Sequence, residues 1–331
     1  MMHVLHINSQ PASHFDTLMR LLQNEGRHTL WNQEAPPSEK PCLIHAHSWI
    51  EDGSLALKMS EQQGIPYIIS FAEDEVDMLG RWTLTTHPQW LNILKQASKI
   101  IIPSPNFEYA LGQSLSDSVA DIIFGKTLTI YNPIHPYFLQ NLHLHKPVAL
   151  VHIHLLYIAC HKHYINDIDF ILKAVKKVQH QNIDIQLAIA DVGGYTDSQR
   201  IRAKYGLEVI GAGSEEARAA VYRQHDIVVM PGYHTHTTRY FAEALSQGLP
   251  VIYAAHSCFD GILQSAPPFV LEKESSTLLA DIILSISQRY ATIEQHLSLL
   301  HPLAKFNLDE SYREYMRVYA IAHSLNARER H

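Results

Sequence analysis

Residues 221–253, VYRQHDIVVMPGYHTHTTRYFAEALSQGLPVIY, decide the fold of this chain. An unbroken apolar run ends at Met230 and is stopped by Pro231-Gly232, which is typical of a buried parallel strand that enters a turn. A helix follows, and a second strand leaves after Gly248, the expected C-terminal cap of that helix. Such a unit places a helix N-terminus at the carboxyl edge of a parallel sheet, where anionic groups bind. The segment therefore predicts an α/β fold with a site for a pyrophosphate.

The same segment resembles the donor-sugar half of retaining GT-B glycosyltransferases (glycosyl transferases group 1, family 4-like). The residues that match are Tyr222, Asp226, Pro231, Glu243-Ala244-Leu245, Gly248 and Pro250-Val251. The resemblance implies two Rossmann-like domains that face each other across a cleft, with a final helix that returns to the first domain. It also implies that Glu243 accepts hydrogen bonds from the ribose hydroxyls of a nucleotide-sugar donor. Eight residues earlier, where the family carries a first Glu near the transferred sugar, this chain has Thr235.

Three further places depart from the pattern of that family. The loop after the first strand, residues 8–14, has no glycine that would let the backbone come close to phosphates. Ala72 stands where many members carry a histidine. His161 and Asn166 stand where Arg and Lys hold the pyrophosphate, with Lys162 as an alternative cation. Together with the missing first Glu, these changes remove groups that are commonly worth about 3 to 4 kcal/mol each in the transition state.

The N-terminal part alternates short apolar runs with helical stretches, which predicts βα units around a parallel sheet. Its predicted strands are Val4–Ile7, Leu30-Trp31, Leu43–His47, Ile65–Ser70, Ile100–Ile102, Ile122-Ile123 and Thr129–Tyr131. Asn132-Pro133 is expected to open the linker between domains, because this dipeptide breaks helices and strands.

The second half repeats the α/β pattern. Its predicted strands are Val148–Ile153 or Leu155–Ala159, then Ile185–Ile189 and Leu207–Ile210, and its later helices are Leu278–Tyr290 and a last helix that ends near Ser324. The predicted domains are residues 1–140, an acceptor-side domain that includes the C-terminal helix 306–331, and residues 141–305, a domain that binds the nucleotide sugar.

Composition narrows the class of protein. A chain of 331 residues with 46% hydrophobic and 18% charged residues predicts a globular protein of two domains, without a membrane span or a secretory signal. Three cysteines without CxxC spacing argue against a disulfide framework and favour the cytoplasm. A net charge of −7 argues against nucleic acid as a partner, because binding to its phosphates draws on clustered Lys and Arg. Peripheral contact with a membrane is kept as an alternative.

Histidine is unusually frequent, with 23 residues. HxH pairs at His152/His154, His161/His163 and His234/His236 place imidazoles on one face of a strand, where chelation is sterically possible. No metal site is predicted, because no cysteine or acidic cluster accompanies these pairs. The acidic run at residues 73–77 is interpreted as a solvated loop.

The candidate catalytic residues are Thr235, expected to touch the sugar, and His47, at the end of a strand of the acceptor half; a structural role for His47 is an equal alternative. The candidate donor-binding residues are Glu243, Gly232, Tyr233, His234, His236, Arg239, Lys162 and His161. Arg239, in the first helical turn, and the two loop histidines before it are hypothesised to supply charge to the phosphates.

These residues favour transfer of a sugar from a nucleotide-sugar donor, with retention, to a glycan, lipid-linked or protein acceptor, as in polysaccharide biosynthesis. No cofactor is expected beyond the donor substrate, whose base is unknown. Two alternatives remain: a catalytically degenerate GT-B protein that binds a partner in glycan assembly, and a sensor that binds the donor without turnover.

Overall fold

The structure is a computed structural model of the 331-residue chain. The residues that it describes are 2–9, 18–19, 22, 27–31, 40–72, 75, 87–113, 115–142, 152–160, 164–231, 238–257, 259, 262, 269–299 and 302–329. The chain forms two compact units, Met1–Pro133 with Lys305–His331, and Ile134–Ala304.

Unit 1 is built on a parallel six-stranded sheet with the strand order β2-β1-β3-β4-β5-β6. Its strands are β1 (His3–Ile7), β2 (Arg27–Trp31), β3 (Leu43–Ala46), β4 (Tyr67–Ser70), β5 (Lys99–Ile102) and β6 (Thr127–Thr129). Its helices are α1 (Glu51–Gln63), α2 (Pro88–Gln96), α3 (Asn106–Gly112), α4 (Asp117–Phe124) and α12 (Leu308–Glu329), preceded by a 3₁₀ turn at Pro302–Phe306. The four residues of β3 and of β4 are all buried, as expected for strands covered on both faces.

The long helix α12 closes one face of this sheet. Its aromatic residues Tyr315 and Tyr319 are buried with Val318 against apolar side chains of β1, β3, β4 and β5. The resemblance predicted that the last helix returns to the first domain, and the assignment of residues 305–331 to unit 1 agrees with this.

Unit 2 carries a second parallel six-stranded sheet, with the order β12-β11-β10-β7-β8-β9. Its strands are β7 (His152–Ala159), β8 (Asp184–Asp191), β9 (Glu208–Gly211), β10 (Ile227–Met230), β11 (Val251–Ala254) and β12 (Val270–Leu271). Its helices are α5 (Pro136–Gln140), α6 (Tyr164–Gln179), α7 (Ser198–Tyr205), α8 (Glu215–Arg223), α9 (Thr238–Ser246), α10 (Ser276–Gln288) and α11 (Tyr290–Leu299). Helix α5, which the sequence-based boundary placed in the first domain, lies in unit 2 and contacts α8 and α9.

Several element boundaries differ from the sequence-based ones. Of the two alternatives for the first strand of the second half, Leu155–Ala159 lies within the observed strand His152–Ala159, and residues 148–151 of the other lie outside the described residues. Ile122-Ile123 is not a strand but lies in α4, with Ile123 buried and Ile122 exposed. Adjacent residues of a helix point in different directions, so a pair of isoleucines does not define a strand. The last helix runs to Glu329, beyond the predicted end near Ser324.

The predicted cap at Gly248 is confirmed, with φ 79°, and Gly64 ends α1 at φ 65°. Both values lie in the left-handed region that glycine adopts without strain. Among the described helices, none combines the length and the apolar character that crossing a bilayer requires.

Candidate functional site

The segment singled out from the sequence forms a strand, a connection and a helix in unit 2. Strand β10 ends at Met230, followed by the buried Pro231, and α9 begins at Thr238. The parallel pairing of β10 with β7 and β11 places this connection at the carboxyl edge of the sheet. The predicted residues Gly232, Tyr233, His234, Thr235 and His236 lie outside the described residues, as do His161 and Lys162. Their predicted roles therefore stay predictions.

Glu243 is described, and it is fully buried in the second turn of α9. Its carboxylate accepts two hydrogen bonds from Arg218 of α8, from Nε at 2.7 Å and from Nη2 at 2.9 Å. Arg239 Nε lies 3.4 Å from the same carboxylate, and the Tyr222 hydroxyl donates to it over 3.4 Å. The predicted role of Glu243 in ribose binding is untested, but its partners within the protein are now defined.

Arg218 is the residue that the sequence reasoning missed. Its side chain is 1% exposed, and its Nη1 donates to the carbonyl of Gly213 at 3.0 Å while Nη2 also reaches Glu215 at 3.2 Å. The guanidinium group lies over the rings of Phe138 and Tyr240, at 5.8 and 5.6 Å from their centroids. The buried side chain of Arg218, which belongs to α8, therefore contacts both α9 and α5.

The electrostatics of this group follow from burial and pairing. Burial raises the pKa of the Glu243 carboxyl, while Arg218 and Arg239 oppose that rise. Burial acts to lower the pKa of the Arg218 guanidinium, but its hydrogen bonds and charge interaction with Glu243 outweigh this effect and the pKa is raised. A bidentate pair of this kind, with its remaining donors satisfied, is the arrangement in which buried opposite charges are stable.

Arg239 is the described cation nearest to the start of α9. Its side chain is 14% exposed, and its Nη2 donates to the Tyr240 hydroxyl at 3.2 Å. The residue lies in the first turn of a nine-residue helix, where unpaired backbone N–H groups and the helix dipole favour anions. Arg239 thus lies in the first helical turn, as expected from the sequence, and its role towards the phosphates stays a prediction.

A second loop at this edge follows β8. The Asp191 carboxylate accepts hydrogen bonds from the backbone N–H groups of Gly193, Tyr195 and Thr196, at 3.3, 3.0 and 3.1 Å, and from the Thr196 hydroxyl at 2.6 Å. Burial alone would raise the pKa of Asp191, but these hydrogen bonds lower it. Gly194 has φ 69°, which shows why the loop carries a glycine there. Sequence reasoning did not single out this loop, although Asp-Val-Gly-Gly directly after a strand was an available signal.

In unit 1, His47 belongs to a group of imidazoles at the carboxyl edge of the sheet. His47 Nε2 lies 2.9 Å from His6 Nδ1, and His6 Nε2 lies 2.9 Å from His28 Nδ1. The rings of His45 and His47 lie 3.8 Å apart between centroids and are tilted by 39° to each other. We call His6, His28, His45 and His47 the histidine cluster. The side chains of His6, His28 and His45 are buried, and that of His47 is half-buried.

Burial disfavours charge on three members of the histidine cluster, His6, His28 and His45. Burial and the neighbouring imidazoles hold the pKa values of His6 and His45 well below their usual range, and burial lowers that of His28 to about 4. Since each hydrogen bond between two neutral rings needs one N–H and one lone pair, the tautomers along the chain are coupled.

The acidic run near this edge does not behave as the sequence suggested. Glu75 is 5% exposed, and its carboxylate accepts hydrogen bonds from the backbone N–H groups of Trp49, Ile50 and Ala72 at 2.7 to 3.2 Å. The interpretation of residues 73–77 as a solvated loop is therefore wrong for Glu75, because the start of α1 needs an acceptor for its free N–H groups. The other acidic residues of the run lie outside the described residues.

Comparison with known proteins agrees with this architecture. Residues 152–289 match the family model of glycosyl transferases group 1. No curated protein sequence matches the chain.

Solved structures match over nearly the whole chain. HepE of Anabaena, solved with UDP and glucose, is 13% identical with a TM-score of 0.67 and covers 97% of this chain and 100% of its own. Sucrose-phosphate synthase of Thermosynechococcus elongatus is 15% identical with a TM-score of 0.67, covering 97% and 98%. A glycosyltransferase of Rickettsia africae is 12% identical with a TM-score of 0.65, also covering 97% and 98%. The chain therefore has the GT-B fold, and its residues 152–289 are similar to the glycosyl transferases group 1.

Proposed function

We propose that this protein transfers a sugar from a nucleotide-sugar donor to a glycan, lipid-linked or protein acceptor, with retention of configuration, in the cytoplasm. Unit 2 binds the donor and unit 1 binds the acceptor. The observation that carries this proposal is the family match over residues 152–289, whose Glu-bearing helix α9 begins at the carboxyl edge of a parallel sheet. That edge is where ligands of open α/β sheets bind.

The described residues support a donor site in unit 2 through their charges. Arg239 supplies a partly exposed guanidinium at the start of α9, and residues 232–238 directly precede it in the sequence. In this proposal the guanidinium and the backbone N–H groups of these residues hold the diphosphate, with His161 or Lys162 as additional cations, and Thr235 contacts the sugar. Stabilisation of the leaving diphosphate is the main catalytic contribution.

For a ribose to bind Glu243, the carboxylate must accept further hydrogen bonds while Arg218 donates to both of its oxygens. Each carboxylate oxygen accepts more than one hydrogen bond, so a bidentate arginine does not exhaust its capacity. Glu243 is fully buried, so a ribose reaches it only after covering groups move. In this proposal Arg239, 3.4 Å from the carboxylate, is the group that moves. The release of Arg239 towards a bound diphosphate would provide that movement.

On the acceptor side, we assign His47 as the histidine that faces the acceptor. It is the member of the histidine cluster with the most exposure, and it follows β3 at the carboxyl edge. The Anabaena HepE structure holds UDP and glucose, which supports UDP as the first nucleotide to test here.

The buried ion pair also favours a second function, a GT-B protein that binds a partner in glycan assembly without turnover. The pair holds Glu243 in contacts with Arg218, Arg239 and Tyr222, all within the protein. Under this alternative the pair is purely structural, and no donor displaces Arg239.

Calorimetric unfolding of the full chain with UDP, GDP, ADP and their sugars distinguishes these functions. A nucleotide at 100 times its dissociation constant adds about 2.7 kcal/mol to the unit that binds it, which raises the melting temperature of a unit of this size by about 5 to 10 °C. All four tryptophans lie in residues 31–90, so tryptophan fluorescence reports the melting of unit 1 and the remaining heat signal reports unit 2. A donor that stabilises unit 2 and releases its nucleotide when acceptor is added supports transfer. Failure of every nucleotide to stabilise unit 2 overturns the transferase proposal in favour of the partner-binding function.

A further inference from the structure

The histidine cluster brings together three imidazoles that sequence spacing alone does not connect. His6 of β1 and His45 of β3 are register partners in adjacent parallel strands, so their side chains lie on the same face of the sheet. His47 follows two residues after His45. One nitrogen from each of His6, His45 and His47 lies within 4.8 Å of the corresponding nitrogens of the other two.

Each of the two buried rings has an outer partner that fixes its orientation. His6 turns Nδ1 towards His47 and Nε2 towards His28. His45 has the Tyr319 hydroxyl 2.9 Å from Nδ1 and the Ser70 hydroxyl 2.7 Å from Nε2. Both nitrogens of His45 have a hydroxyl partner, so one of these two hydrogen bonds must break for His45 to bind an ion. The hydrogen bond that remains then orients the ring through its second nitrogen, as is usual for metal-bound imidazoles.

We propose that His6, His45 and His47 bind one divalent transition-metal ion, with zinc as the reference ion. Three neutral imidazoles suit zinc and its neighbours in the first transition row. Three protein ligands leave a fourth position for water, hydroxide or an oxygen of a bound molecule, and the partly exposed His47 places that position on the open side of the cluster.

The three nitrogens, which lie within 4.8 Å of one another, must move closer together to bind one ion. Two nitrogens bound to one tetrahedral zinc at 2.0–2.1 Å lie about 3.3 Å apart, close to the 2.9 Å between His6 Nδ1 and His47 Nε2. The proton now shared between these two nitrogens moves to the other nitrogen of the same ring, so that both lone pairs face the ion. His47, the least buried ligand, accommodates most of the shift.

Burial supports the site from a second direction. A metal ligand must be a neutral imidazole, and His6 and His45 are fully buried, which disfavours a charged ring. The sequence analysis predicted no metal site because it considered each HxH pair by itself. The site proposed here combines His45 and His47 with His6, which comes from the neighbouring strand β1.

The exposed pair His152 and His154 provides a matched control. These residues have the same spacing as His45 and His47 but pair with Asp184 and Asp226 at the surface of unit 2. The full chain, prepared without a histidine tag and stripped with chelator, is titrated with Zn²⁺ against a chromophoric competitor and with Co²⁺ for its visible spectrum.

One tight equivalent of zinc, with the intense cobalt absorption of a tetrahedral site, is expected for the wild type and for the His152→Ala/His154→Ala variant. His47→Ala should bind at least about 100-fold more weakly, since loss of second-sphere partners alone costs 10- to 100-fold. Tryptophan fluorescence checks that this variant is folded, and a zinc-dependent rise in the melting temperature of unit 1 gives a measurement on the wild type alone. The proposal fails if the wild type holds no tight zinc, if unit 1 melts at the same temperature with zinc, or if the surface variant rather than His47→Ala loses the ion.

Discussion

Arg218 and Glu243 form a buried bidentate ion pair, with Nε and Nη2 of the arginine 2.7 and 2.9 Å from the two carboxylate oxygens. The two side chains are 1% and 0% exposed. The pair joins α8 to α9, the helix at whose N-terminus we propose that the donor binds. Each charge compensates the other. Removal of one partner alone therefore leaves an uncompensated buried charge and lowers the free energy of unfolding.

Arg218→Met should therefore destabilise unit 2 by about 3 to 5 kcal/mol, because it leaves the Glu243 charge buried beside only one guanidinium. The double variant Arg218→Met/Glu243→Leu should recover most of this loss, since neither charge remains. The matched control Arg202→Ala changes an exposed arginine of α7 and should stay within about 0.5 kcal/mol of wild type. Denaturant unfolding followed by far-UV circular dichroism measures all three. Equal stabilities of the single and double variants would contradict the pairing argument.

Removal of the Glu75 carboxylate should destabilise unit 1. Glu75→Ala removes a carboxylate that accepts hydrogen bonds from Trp49, Ile50 and Ala72, and bonds to a charged acceptor are worth about 1.5 to 3 kcal/mol each. A loss of about 3 kcal/mol is expected in tryptophan-detected unfolding. Glu61→Ala, an exposed change within α1, serves as the control and should leave the midpoint nearly unchanged.

The fold was predictable from local patterns because its strands are short apolar runs bounded by glycine and proline. The run before Pro231 and the strand after Gly248 are found where the sequence placed them. The boundaries that failed, such as Ile122-Ile123, are those where an apolar pair is too short to show a period.

The partners of the candidate residues were not predictable in the same way. Arg218 meets Glu243 across 25 positions of sequence, and His6 meets His47 across 41. Such pairs depend on how helices and strands pack, which the sequence pattern of a single element does not contain. The burial of Glu75 was missed for the same reason. Its carboxylate accepts hydrogen bonds from backbone N–H groups of other segments, and the sequence near Glu75 does not show that these groups lie close to it.

Arg239 should be required for donor binding. If its guanidinium leaves Glu243 for the diphosphate, Arg239→Ala should weaken nucleotide binding by about 10- to 100-fold, the effect of losing one or two charge-assisted hydrogen bonds. Arg223→Ala is the matched control, an exposed arginine at the end of α8 that contacts Gln247 at 3.4 Å. Isothermal titration with the nucleotide that stabilises unit 2 gives both affinities. Unchanged affinity in Arg239→Ala would remove this residue from the donor site.

The histidine cluster predicts that unit 1 is sensitive to acid. In the folded protein the pKa of His28 is about 4 and those of His6 and His45 lie well below their usual range, whereas in the unfolded chain each is about 6.5. Between these values the unfolded state binds more protons, so stability is full above about pH 6.5 and is lost as the pH falls towards 4. Each such histidine contributes a slope of about 1.4 kcal/mol per pH unit.

The measurement is tryptophan-detected urea unfolding at a series of pH values, in the presence of chelator so that no metal ion holds the rings neutral. His28→Gln should remove about one histidine's share of the slope, because a glutamine at this position does not titrate. His152→Gln, an exposed change in unit 2, should leave the slope of unit 1 as it is. A stability of unit 1 that stays flat from pH 7 to pH 5 would show that these imidazoles take up protons in the folded state as readily as in the unfolded chain, and that their burial does not exclude charge.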